Sequence, residues 1–426
     1  MTIKTLAAAL SDAAVKEKLS TLYGEFAEAR SERILDLAKV FEETYGEGRD
    51  LSVYSVPGRS ELSGNHTDHN HGCVIAASID LDIIAVAAKR DDGIIRIKSA
   101  GFPEDVVDIS LYTEPDDSRF GSSASLIAGM CAGFTKKGYK IGGFDACTTS
   151  NVLKGSGLSS SAAFEDMVGN ILNHLYNNGE VDNVEIAKLA QFAENKFFGK
   201  PCGLMDQVAC AAGGIVAIDF NDPATPIIEK LDFDITGAGY RLCIVDTGGN
   251  HADLTPDYAA VPAEMKSIAR EMGKEFLRDV DENDVLANLA SLRAKYGDRA
   301  VLRALYFFAE NRRVAEQSAA LRAGDLQKYF DGAIASGRSS FCYLQNVFTT
   351  VNVSEQGLSL ALNLAERYIA KVGGAYRVHG GGFAGTIQAY VPADAVEGFC
   401  ALMDGVFGKG ASIPLRIRPL GAIRII

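Results

Sequence analysis

At 426 residues the chain is long enough for two domains, each with its own core, and a hydrophobic fraction of 47% is that of an ordered globular protein. The 42 basic residues against 55 acidic ones leave a net charge of −13, which disfavours the basic face that nucleic acid or an anionic membrane requires. No stretch reaches about 18 apolar residues, and the eight cysteines lack CxxC spacing, so a cytoplasmic protein with reduced thiols is expected.

In chain order, residues 5–45 have helical periodicity, and residues 51–56 alternate as a strand that stops at Pro57-Gly58. Fourteen residues crowded with polar and ionisable groups follow, from Arg59 to Gly72. Residues 74–88 are almost continuously apolar and β-branched, as in a strand buried on both faces. A hairpin around Asp91-Asp92-Gly93 is expected over 94–109, a helix over 123–137 and a strand over 144–152. Beyond these, 184–198 reads as a helix, 215–220 and 240–246 as strands, 260–335 as mostly helical, and 386–391 as a strand. Pro223 and Pro226 suggest a change of domain, giving residues 1–222 and 223–426.

Two stretches carry chemistry. Gly155, Ser156, Gly157, Leu158, Ser159, Ser160 and Ser161 form a glycine- and serine-rich loop, and Phe164, Met167, Val168, Ile171 and Leu172 behind it lie at helical spacing. The free N–H groups and positive dipole at such a helix start suit a phosphate, and serine hydroxyls add ligands for phosphate or Mg²⁺. The GxxxxGK[ST] pattern is absent, which excludes an ordinary nucleotide P-loop. The segment 59–72 allows three readings. His66, His69 and His71 with Asp68 are candidate metal ligands, although their spacing does not match a helical i, i+4 pair. The segment also reads as a solvated loop, or as a polyol site in which His66 and Asp68 bind hydroxyl groups and Arg59 supplies a fixed cation. Asp206, inside an apolar surrounding, must be paired or at work.

Four segments together resemble the GHMP kinase superfamily and, within it, the galactokinase family. PGRSELSGNHTD at 57–68 is similar to PGRxNLxGEHTDY, GSGLSSSA at 155–162 to the GxGLSSSA phosphate loop, and GGGFAG at 380–385 to GGGFGG. Ala193-Glu194 with GKPCGLMDQ at 199–207 is similar to AEHxFxGxPCGxMDQ. The resemblance implies an α+β, two-lobed kinase with its site between the lobes, using ATP and Mg²⁺ to phosphorylate the anomeric hydroxyl of galactose. Carried over residue by residue, Arg59 and Asp206 are the catalytic pair, and Ser161 and Glu194 hold Mg²⁺. Asn65, His66, Asp68, Gly203 and Tyr258 contact the sugar, and the loop from Gly155 to Ser161 with Gly381 and Gly382 binds the nucleotide. Asn65 stands where the family has a Glu that reaches the C6 end of the sugar, His69 replaces Tyr, and His379 stands where Thr is usual. Losing that charge admits galacturonate as an alternative substrate, and a non-catalytic sugar and ATP sensor is a further alternative. Oligomeric state is not legible.

Overall fold

The computed structural model describes residues 2–111, 113–152, 157–200, 202–249 and 254–426. Three helices come first, α1 (Ile3–Leu10), α2 (Ala13–Tyr23) and α3 (Ala27–Tyr45). Next come β1 (Ser52–Ser63), β2 (Cys73–Lys89), β3 (Ile94–Ser99), β4 (Glu104–Asp108), α4 (Ser123–Lys136), β5 (Phe144–Ser150) and α5 (Ser160–Tyr176). They lead into α6 (Asn183–Ala193), α7 (Met205–Ala212), β6 (Ile215–Asp219) and β7 (Ile227–Leu231). The remainder comprises β8 (Tyr240–Asp246), α8 (Thr255–Glu271), α9 (Glu282–Ala287), α10 (Leu289–Arg322), α11 (Leu326–Ser339) and α12 (Gly357–Val372). It ends with β9 (Ala375–Val378), β10 (Thr386–Pro392), α13 (Val396–Phe407), β11 (Ser412–Leu415) and β12 (Ile423–Arg424). Helices and two mixed or antiparallel sheets make the fold α+β, as expected.

The larger sheet runs β12-β1-β2-β5-β3-β4, with β6 and β7 added along the first half of β2. Its strands alternate between two covered faces. Val53, Ile84, Val86 and Ala88 pack under α3 through Ile34, Leu37, Ala38 and Phe41, which lie three or four residues apart on one side of that helix. Tyr54, Val56, Ala85 and Ala87 face the opposite way, into a core shared with α4, α5 and α6. Burial on both faces is why β2 reads as one long apolar run. The N-terminal helices are also tied down by charge: Asp82, fully buried, accepts from Tyr23 Oη at 2.6 Å and from Arg33 Nη1 at 2.6 Å, with Arg418 Nη1 at 3.4 Å. The smaller sheet, β11-β8-β10-β9, buries Val245, Ile387 and Ala389 under α12 and α13.

Two expectations change. β1 does not stop at Pro57-Gly58 but continues to Ser63, with register shifts between Pro57 and Arg59 and between Glu61 and Ser63. A bulge accommodates the proline, and Gly58 is needed because a Cβ there would sit 2.7 Å from the Leu158 carbonyl oxygen. Arg59 and Glu61 therefore lie on a strand, not a loop. The 94–109 hairpin is real but turns at residues 100–103; Asp91-Asp92-Gly93 leads instead into β3, which pairs in parallel with β5. β6 and β7 belong to the larger sheet, so that sheet extends to Leu231, past Pro223 and Pro226.

Candidate active site

The site forms where β1, the start of α5, α7 and the glycine cluster before β10 converge. Arg59, on the strand between the two register shifts, points out of the sheet toward α7. Its Nε donates to Asp206 Oδ1 at 2.8 Å, its Nη2 lies 2.8 Å from the same oxygen, and its Nη1 donates to the Gly157 carbonyl oxygen. Ser159 Oγ donates to the other carboxylate oxygen of Asp206. Burial alone would push the Asp206 carboxyl up, but the Arg59 guanidinium and the Ser159 hydroxyl hold it below the ordinary carboxylate range. The Asp206 side chain is 35% exposed while that of Arg59 is 8% exposed, so the carboxylate has an open side and the guanidinium does not.

Ser159 takes φ 58° and caps α5, leaving the first N–H groups of the helix without intrahelical partners. Ser160 and Ser161 are half-buried and their hydroxyls make no hydrogen bond among the described residues. Gly155 and Ser156 lie outside the described residues. Glu194, at the end of α6, is buried; its carboxylate accepts from Gln207 Nε2 at 2.8 Å and from Lys200 Nζ at 3.1 Å. Glu165, one turn into α5, shares the same Gln207 amide, and burial beside the Glu194 charge pushes its carboxyl well up. Its Oε1 is buried without a partner. Hydroxyls, a buried carboxylate and an unpartnered carboxyl oxygen are hard oxygen donors, the set that suits Mg²⁺.

A cavity of about 200 Å³ opens beside the Arg59–Asp206 pair and is lined by Glu61, Asn65, His66, Asp68, Gly203 and Gly381, among others. His66 Nε2 donates to the Gly381 carbonyl oxygen at 2.9 Å, and burial lowers its imidazole to about pKa 4, so it is neutral near pH 7. Asp68 accepts from the His69 amide, and a Cβ at Gly203 would overlap its Oδ2. With Asp68 contacting the sugar, as the resemblance implies, Gly203→Ala is expected to raise the sugar KM about tenfold or more by displacing it, measured with ATP saturating; an unchanged KM removes Asp68 from sugar binding. Tyr258, on α8, donates to the Gly382 carbonyl oxygen at 2.7 Å, and Asn346 Nδ2 donates to the Gly381 carbonyl at 3.1 Å. Gly381 and Gly382 thus lie against His66, Asn346 and Tyr258. Just before the cluster, and close to Gly157, lies His379, held neutral by burial between Ser60 and Thr386. His71 stacks on Phe276 at 3.7 Å, away from His66.

Sequence reasoning missed Gln207 as the amide joining Glu165 to Glu194, and it missed Glu61. Glu61 was legible, because the signature PGRxNLxGEHTDY has Asn at this place. Asn65 Nδ2 donates to Glu61 Oε1 at 2.9 Å, so the carboxylate absent from position 65 stands one hydrogen bond away.

The galactokinase galactose-binding signature matches residues 39–89, and the GHMP kinases N terminal domain matches residues 125–214. A galactokinase of Streptomyces coelicolor is 32% identical over 375 residues, covering 86% of this chain and 91% of that protein. A galactokinase of Actinobacillus pleuropneumoniae is 33% identical, covering 84% and 89%. The crystal structure of Lactococcus lactis galactokinase complexed with galactose superposes with a TM-score of 0.78 at 25% identity, covering 92% of this chain and 99% of that one. Mevalonate kinase of Methanococcus jannaschii shares the fold, with a TM-score of 0.61 at 14% identity.

Proposed function

This chain belongs to the galactokinase family of the GHMP kinases, and from that premise we propose that it transfers the γ-phosphoryl group of ATP to the anomeric C1 hydroxyl of galactose, giving galactose 1-phosphate and ADP. The observation that carries the reading is the Arg59–Asp206 pair, which closes one end of the sugar cavity directly beside the N-terminus of α5. Asp206, ionised and open to the cavity, accepts the proton of the attacking hydroxyl. Arg59 orients that carboxylate through two of its nitrogens and places a cation beside the transferred group. The free N–H groups of α5 and the preceding loop hold the phosphates, and His66 and Asp68 fix the sugar. Glu194 with Ser161 or Ser160 would hold Mg²⁺, which when bound neutralises phosphate charge. The lobes on either side are residues up to Leu231, with the returning β12, and the smaller sheet with its helices. No helix among the described residues is long and apolar enough to cross a membrane.

Neutral galactose fits better than galacturonate. The Asn65 amide is occupied by Glu61, the Gly380 carbonyl and Asn346, so it is not free for a sugar carboxylate, which would also have to face Asp68. A kinase assay over galactose, other aldoses and uronic acids, with the product phosphate located by NMR, tests the reading. Absence of galactose 1-phosphate overturns it.

The metal assignment has its own test. Glu194→Gln and Ser161→Ala each remove a hard oxygen ligand or its charge, so each is expected to shift the Mg²⁺ concentration for half-maximal rate upward about fivefold or more. Superimposable Mg²⁺ titrations for both variants and the native chain remove these residues from the metal site.

A further inference from the structure

The cavity has two ends, and strand geometry says what each is for. β1 pairs regularly with β2 between its two register shifts, Arg59 opposite Ser78, Ser60 opposite Ala77 and Glu61 opposite Ala76. Alternate residues of a strand share a face, so Arg59 and Glu61 both project into the cavity about 6.6 Å apart along the strand, while Ser60 turns away to His379 and Gln388. Arg59 belongs to the transfer end, through Asp206. Glu61 therefore stands about one hexose ring further in, at the end remote from the reacting hydroxyl.

The surroundings of Glu61 are those of a built recognition group. Its Oε1 accepts from Asn65 Nδ2 at 2.9 Å and lies 3.3 Å from Nη2 of Arg377, a side chain on β9 that is itself completely buried. Arg377 Nη1 is fixed by the Leu62 carbonyl at 2.7 Å. Asn65 is anchored in turn, because Asn346 Nδ2 donates to its Oδ1 at 2.6 Å. Every one of these bonds uses Oε1; Oε2 receives none from the described residues, and it is not among the buried atoms left without a partner. One carboxylate oxygen is thus locked in place while the other is left to the cavity that Glu61 lines.

Resting on the galactose reading, we propose that Glu61 is a specificity-determining residue whose free carboxylate oxygen binds a sugar hydroxyl remote from the anomeric carbon, with Asn65 as the amide that orients it. The signature carries Asn at the first of these two places and Glu at the second; this chain holds the same amide and the same carboxylate with their positions exchanged. A pair that works as a unit should survive a second exchange.

The test is a four-member cycle of native chain, Glu61→Asn, Asn65→Glu and the double exchange, with KM read separately for galactose and for ATP. Glu61→Asn leaves a sugar hydroxyl without its partner in a buried pocket and is expected to raise the galactose KM about 10- to 100-fold, with the ATP KM within about twofold. Asn65→Glu, which places two carboxylates side by side in a buried pocket, is expected to be impaired as strongly. The double exchange should return the galactose KM to within about fivefold of native. Glu61→Asn should also discriminate less against 4-deoxy- or 6-deoxygalactose, a change a merely structural role would not produce. A galactose KM within twofold of native in Glu61→Asn, or unaltered discrimination against both deoxy sugars, overturns the proposal. If a single variant does not fold, the double exchange decides: a folded double variant with native-like KM supports the pair, and a folded one without sugar affinity sinks it. A native chain that phosphorylates a different aldose and not galactose overturns the substrate reading alone, and the cycle is then read on that aldose.

Discussion

Asp206→Ala is expected to lower kcat by about 10²- to 10⁴-fold, the usual worth of a general base, while the protein still folds and binds both ligands. The size follows from what the side chain is made to be. Arg59 and Ser159 donate at least one hydrogen bond to each oxygen and keep the carboxyl ionised, yet a third of the side chain stays open to the cavity where the hydroxyl must sit. Two of its neighbours are engaged elsewhere: His66 donates to the Gly381 carbonyl, and Glu194 lies with Lys200 and Gln207. The check is single-turnover transfer from ATP at saturating galactose, with ATP and galactose affinity measured by calorimetry. Retention of more than about a tenth of the native rate removes Asp206 from proton transfer, and loss of galactose affinity with loss of rate makes it a binding residue. Asp206→Asn, which keeps the shape and both anchoring contacts open to an amide, should be nearly as inactive.

Much of this arrangement is readable from the chain, and the unread part has a physical cause. The start of α5 was legible, because a stretch of glycines and serines there precedes an apolar helical stripe; α5 begins at Ser160, where the serines put it. The buried course of β2 was legible because both faces of the sheet are covered. What one sequence hides is which polar side chain answers which. Asn65 looked like a lost charge because its neighbour in space, Glu61, is four residues away on a strand that had been ended too early at Pro57-Gly58. A proline and a glycine break most strands; here a bulge absorbs them, and the register beyond it sets the faces of Arg59 and Glu61. The resemblance assigns Gly381 and Gly382 to the nucleotide; their carbonyls accept from His66, Asn346 and Tyr258, long-range bonds that no local pattern encodes. Likewise the addition of β6 to β2 and the return of the C-terminal residues to β1 depend on pairing between distant segments.

The other large effect belongs to Arg59, and it separates orientation from charge. Arg59→Met removes the cation but keeps most of the stem, so packing against β2 and Gly157 is spared. The variant is expected to lose about 10²- to 10³-fold in kcat/KM, the scale of one preorganised charge at a transferring group. Its pH dependence should differ in sign from a simple loss. In the native chain Asp206 is held below the ordinary carboxylate range, so the base is ionised well below neutrality and contributes no limb near pH 7. Without Arg59, burial is no longer opposed by the nearest cation, the carboxyl pKa rises, and a smaller fraction is ionised at neutral pH. The variant's activity should therefore climb as pH rises from about 6 to 9 while the native chain stays comparatively flat, and the deficit should be largest at the acid end. Arg59→Lys separates the two contributions, since it restores a cation but not the fork that meets Asp206 and the Gly157 carbonyl together. It should flatten the pH profile again while recovering only part of the rate. Parallel profiles for native and Arg59→Met, offset by a constant factor, would mean that Arg59 acts on the transferred group alone and leaves the proton affinity of Asp206 to Ser159 and the cavity.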